Sequence, residues 1–125
     1  MVQLHIPSAG KLTEEAVCES IAQMRILLKK YYPDYPYKAF ACGSWLLNPV
    51  TADLLGEESN IVKFGKRFQP MTIKTHGTGV FYFAFLQPDR NCNIASLPEN
   101  NRFEKVVKEY YLSGKVIHEV AGYFL

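Results

Sequence analysis

The sequence predicts an α/β fold shading into α+β: a mixed sheet with helices on its faces. Three observations predict it. A strand-like run near the start, "VQLHIP", is followed by a long amphipathic helical pattern over residues 14–31. A second strand-like run, "FACGSWLLNP" at residues 40–49, is apolar on both faces, as expected of an interior strand. Further helical patterns with clear caps then alternate with short apolar runs. A chain of 125 residues forms one domain with a real core, and 48% apolar content is ordinary for such a domain.

The elements follow in order. Residues 2–6 read as a strand, and Pro7, Ser8, Ala9 and Gly10 as a turn. Thr13 is a good N-cap, with Glu14 and Glu15 adding negative charge at the positive helix end. Val17, Ile21, Met24, Leu28 and Tyr31 share one helical face, and Pro33 stops the run. After the connector "YPDYPY", residues 38–47 read as a central strand covered on both sides. Strand, helix, strand implies a right-handed crossover and a parallel pair.

Asn48 is placed to cap the next helix, with Pro49 at its first position and Gly56 at its end. Ser59 can cap another short helix with Ile61, Phe64 and Phe68 on its apolar face. "MTIKT" and "VFYFAFL" flank "HGTG", which predicts a β-hairpin with a glycine-bearing turn. Asn101 and Glu104 form a capping-box pair opening a C-terminal helix. The tail "KVIHEVAGYFL" fits helix or strand.

Bulk properties exclude several functions. A formal charge of +2 is too small to argue for nucleic acid, and no apolar run reaches membrane-spanning length. Cys18, Cys42 and Cys92 are odd in number and lack zinc-site spacing, which predicts reduced thiols in a cytoplasmic protein and no metal. The first strand follows Met1 immediately and needs a neighbour, which suggests a domain cut from a longer protein.

Candidate chemistry is sparse. Cys-Gly-Ser-Trp at residues 42–45 resembles a papain-type nucleophile run, but Cys42 falls in a strand and the second cysteine is missing. Cys42 therefore reads as a small buried hydrophobe. "PSAGKLT" joins a strand to a helix N-terminus, where backbone N–H groups can hold phosphate, yet it fails the P-loop pattern. It is either a loose anion site through Gly10 and Lys11 or a plain turn and cap. His5, on the opposite strand face from Leu4 and Ile6, is either a general base or a structural histidine. Lys63, Lys66, Arg67 and Lys74 form a modest basic cluster, either a solvated face or an anion contact.

Three stretches together carry a resemblance: "LHIP" before the first helix, "FACGSWLLNP" at the second strand, and "SNIVKFGKRF" after it. They resemble the C-terminal, GNAT-like domain of bacterial acyltransferase-domain proteins, found largely in Firmicutes. The resemblance spans nearly the whole chain. It implies that the strands at residues 2–6 and 39–47 are the parallel pair that splays in the GNAT fold. Acyl-CoA or acetyl-CoA would lie in the cleft between them as the donor. Two positions depart from the family pattern: Asn48 stands where Asp is usual, and the loop at residues 7–12 has one glycine instead of the usual phosphate-binding signature.

On that resemblance the chain is an acyltransferase domain transferring an acyl group to an amine acceptor. His5 is then the candidate base. Ser44, Trp45, Asn48 and Asn60 are candidate substrate contacts, and Gly10, Lys11 and Arg67 are candidates for gripping CoA. The N-terminal half of the same protein and a small-molecule substrate are the expected partners, with a homodimer left open. The alternative is a non-catalytic GNAT-like ligand-binding or interdomain module that does not use CoA.

Overall fold

A computed structural model of the chain describes residues 1–7, 11–73, 75–88 and 91–125. Its elements are β1 (Val2–Gln3), α1 (Glu14–Tyr31), β2 (Phe40–Ser44), α2 (Val50–Leu55), α3 (Asn60–Gly65), β3 (Gln69–Met71), α4 (Gly79–Phe85), α5 (Arg102–Leu112) and β4 (Val120–Phe124). The sheet runs β1-β2-β4-β3. β1 pairs with β2 in parallel, as the strand–helix–strand order requires, and β4 lies antiparallel between β2 and β3.

The caps form as the local sequence dictates. The Thr13 hydroxyl accepts the Ala16 N–H, Ser59 Oγ accepts from Ile61, and Asn101 Oδ1 accepts from Glu104 at 2.9 Å. Glu104 reaches back to the Asn100 N–H, one residue outside the usual capping-box partner. Asn48 Oδ1 accepts the Val50 N–H at 3.0 Å ahead of α2. Such contacts involve residues two to four apart, so the local sequence alone suffices to expect them.

The predicted hairpin does not form. "VFYFAFL" supplies most of α4, and β3 pairs with β4 instead. An all-apolar run fits both periodicities, and tertiary packing chooses between them. In the helix, Val80, Phe81 and Phe85 turn inward to the core, while Tyr82, Phe83 and Leu86 face out. The ambiguous tail ends as β4, whose Phe124 ring stacks on Phe40 at 5.4 Å.

Two strand readings also need correction. β1 and β2 are shorter than the predicted 2–6 and 38–47. β2 stops where Ser44 Oγ accepts the Leu46 N–H and turns residues 45–47 into a single 3₁₀ turn. Nor is β2 covered on both sides. Phe40 and Cys42 are buried, at 0% and 3% exposure, whereas Ala41 is half-buried and Gly43 exposed.

Two apolar clusters hold the elements together. One joins Trp45 and Leu46 to α4, α5, Leu97 and Ile117; the other joins Val17, Cys42, Phe64 and Phe68 on the α1–α3 side of the sheet. Each fully buried large side chain, such as Phe81, stabilises the fold by about 1.5–3 kcal/mol. Ile6 packs against both clusters, so the segment after β1 runs between them.

Candidate active site

The parallel pair comes apart after Leu4. Val2 N–H donates to Ala39 C=O at 2.9 Å, and Leu4 N–H to Ala41 C=O at 2.7 Å. In a parallel ladder the peptide groups of alternate residues face the same neighbour, so those of Gly43 also face the β1 side. Among the described residues no bond joins Gly43 to residues 4–6. The Leu4 carbonyl, the Ile6 N–H and both peptide groups of Gly43 thus border an opening between the strands.

That opening is a cavity of about 220 Å³. Residues 4–6 form one wall and residues 42–46 the other, with Gly79, Phe83 and Glu119 closing it. A second cavity, of about 240 Å³, lies on the α1 side of the same segment and is lined by Lys11, Leu12, Ser20 and Phe64, among others. Leu4, His5 and Ile6 line both.

The predicted site residues divide accordingly. His5, Ser44 and Trp45 meet in the opening, and Lys11 sits at the second cavity. Trp45 is held from both sides, 5.4 Å from the Phe103 ring and 5.8 Å from Phe83. Asn48 lines a different groove, between α2, α3 and β3. Its amide is already engaged, receiving from Val50 and donating from Nδ2 to the His118 carbonyl at 2.9 Å. Asn60 is exposed at the start of α3 and lines neither cavity. Gly10 and Lys74 lie outside the described residues.

The basic cluster is largely neutralised. Lys63 pairs with Glu58 at 2.8 Å, Lys66 with Glu57, and Arg67 with Glu14. Arg67 also donates to Cys18 Sγ at 3.3 Å, and its guanidinium is held even more firmly protonated by the Cys18 and Glu14 bonds, against the opposing effect of burial. Cys42 fits no nucleophile: burial pushes its thiol pKa up and keeps the sulfur protonated.

The residue that sequence reasoning missed is Glu119, just before β4. Its Oε1 accepts the Gly79 N–H at 2.7 Å and its Oε2 the Gly77 N–H at 3.2 Å. Burial pushes this carboxyl up, but the Thr75 hydroxyl and the N–H groups of Gly79, Glu119 itself and Gly77 outweigh it, leaving the pKa below the ordinary carboxylate value. Roughly forty residues of sequence separate the partners, so no local signal betrays the pairing; the two glycines of "HGTG" were the nearest hint. Among the described residues no group of three His, Cys, Asp or Glu is arranged to hold a metal ion, and no helix is long and apolar enough to cross a membrane.

A parallel strand pair splayed around a cavity, with a crossover helix on one side, defines a GNAT-like domain. The chain belongs to the GNAT-like C-terminal domain family, whose pattern matches residues 1–124. Its fold is similar to the crystal structure of an acyltransferase in complex with decanoyl-CoA, with TM-score 0.86, 24% identity, and coverage of 98% of this chain and 39% of that one. It is also similar to an acyltransferase in complex with decanoyl-CoA and teicoplanin, with TM-score 0.84, 23% identity, and coverage of 97% of this chain and 39% of that one. The chain thus spans about two-fifths of the length of these neighbours (39%). Among curated protein sequences, none matches it.

Proposed function

We propose that this chain is the C-terminal half of an acyl-CoA-dependent acyltransferase and that the opening between β1 and β2 takes the acyl donor. The observation that carries this is the backbone of Gly43, which among the described residues bonds none of residues 4–6. The pantetheine arm of CoA bears amide groups that can complete an interrupted ladder. An N–H at the opening can donate a hydrogen bond to the charge developing on the thioester oxygen. Membership of the GNAT-like family and the likeness to acyltransferases solved with acyl-CoA support the same reading.

Within it, His5 is the base that deprotonates the acceptor amine, and Ser44 and Trp45 line the reacting end. Lys11, beside the second cavity, is the residue best placed to meet CoA phosphate. The remaining half of the cleft comes from an N-terminal half of the same protein, in keeping with the share of each neighbour that the chain matches. Three free thiols fit a reducing, cytoplasmic setting.

One observation favours the alternative of a module that does not use CoA: Lys63, Lys66 and Arg67 are spent on carboxylates rather than free for phosphate. Calorimetric titration of decanoyl-CoA and acetyl-CoA, into the protein alone and joined to its N-terminal half, separates the two. Saturable binding is expected. No heat from either donor in either form would sink the acyltransferase reading.

A further inference from the structure

We propose that Glu119 is the positioning carboxylate that docks the ammonium form of the acceptor amine. The proposal deepens the acyltransferase reading and rests on it. Glu119 lines the same cavity as His5 and Ser44. Among the described residues that line it, the other titratable groups are His5 and the buried Cys42 thiol, and no lysine or arginine is present. Among the described residues Glu119 makes no ion pair.

The carboxylate is positioned, not incidental. Gly77 has a φ of +69°, and a Cβ there would lie 2.3 Å from Val116 Cγ1. A Cβ on Gly79 would lie 2.8 Å from Glu119 Oε1. Gly77 refuses a side chain by its backbone conformation and by Val116, while at Gly79 a Cβ would press on the Glu119 carboxylate itself; with glycine at both, the two N–H groups fix one carboxylate oxygen each. On the other side Thr75 Oγ1 accepts the Glu119 N–H at 3.1 Å and steadies the main chain. Each carboxylate oxygen takes one glycine N–H, and even with the Thr75 hydroxyl beside them the roughly four lone-pair sites of the group leave room for a further donor. A held carboxylate that pairs with no cation among the described residues, in a cavity shared with His5, Ser44 and apolar side chains, is a seat for a cation.

The chemistry closes with the groups present. The docked ammonium gives one proton to His5, and the freed lone pair attacks the thioester carbonyl carbon. The C–S bond then breaks, its electron pair leaves with sulfur, and the nitrogen's second proton passes to that thiolate. Glu119 holds the nitrogen while His5 takes the proton.

The test is an NMR titration of the isotope-labelled chain with benzylammonium chloride, with benzyl alcohol as the neutral control. The Gly77 and Gly79 amides report on the carboxylate that they hold. Saturable shifts of both are expected with the ammonium, absent with the alcohol and absent in Glu119→Gln. No shift at either amide, or equal shifts with the alcohol, overturns the proposal. Should Glu119→Gln fail to fold, the comparison of the two ligands on the wild-type chain still decides. No acyl-CoA is in the tube, so failure here leaves donor binding standing, and failure of donor binding leaves this result standing.

Discussion

The two ends of β2 differ more than their shared apolar sequence implies. At its start, Phe40 is fully buried, stacked on Phe124 and set edge-on to Tyr37, with β1 and β4 paired on either side. Three residues later Gly43 is exposed, and the peptide groups that should meet β1 face a cavity. One strand thus carries structure at one end and the candidate site at the other. Large side chains make the first, and their omission makes the second.

The hardest way to break this contrast is to remove the closed end. Phe40→Ala should cost about 3–5 kcal/mol, because both the transfer energy and the cavity penalty apply. Urea unfolding checks it, and a loss below about 1 kcal/mol would mean that the ring stack adds little to the fold.

At the open end the largest expected effect is on chemistry. His5→Ala should lower turnover about a hundredfold or more while leaving the calorimetric affinity for decanoyl-CoA unchanged. His5 is exposed and reaches the cavity from a segment with no further ladder bonds, so its loss should not disturb the sheet. Unchanged turnover removes it as the base; an equal fall in donor affinity makes it a binding residue instead.

A pair of glycines sharpens the comparison at smaller scale. Gly122, opposite Cys42, has no room: a Cβ would sit 2.7 Å from Phe68 Cβ and 3.0 Å from the Gln69 carbonyl. Gly43, one residue along the facing strand, has nothing within 4 Å. Gly122→Ala should therefore cost about 1–3 kcal/mol by overpacking. Gly43→Ala should change stability by less than about 1 kcal/mol, yet weaken decanoyl-CoA binding by narrowing the opening. Parallel denaturation and calorimetry on both variants read the two effects separately. Equal stability losses would erase the distinction.

The same contrast explains what the sequence could disclose. The caps at Thr13, Ser59 and Asn101 were legible because each hydrogen bond closes within three residues. The parallel pair was legible because strand, helix, strand leaves little topological choice. Helix α4 was not, since Val80, Phe81 and Phe85 satisfy a strand as readily as a helix until Val107 and Tyr111 pack with them. His5, Ser44 and Trp45 came out together because they flank the splay, whereas Asn48 was conspicuous for a capping role that consumes its side chain. Glu119 was invisible because its partners are fixed by the fold, not by spacing.

Glu119 also gives the smallest and most specific pH effect. Its pKa in the fold lies below the ordinary value that it regains on unfolding. Ionisation therefore favours the folded state fully above the unfolded pKa, and that contribution disappears as pH falls through the folded one. The urea midpoint of the wild-type chain should exceed that of Glu119→Gln most clearly at about pH 7, and the gap should close towards about pH 3. Groups common to both proteins cancel in the difference. A gap that stays constant down to acid would mean that the Gly77 and Gly79 N–H groups need only an oxygen to bond, and that the charge at residue 119 contributes nothing to holding the loop.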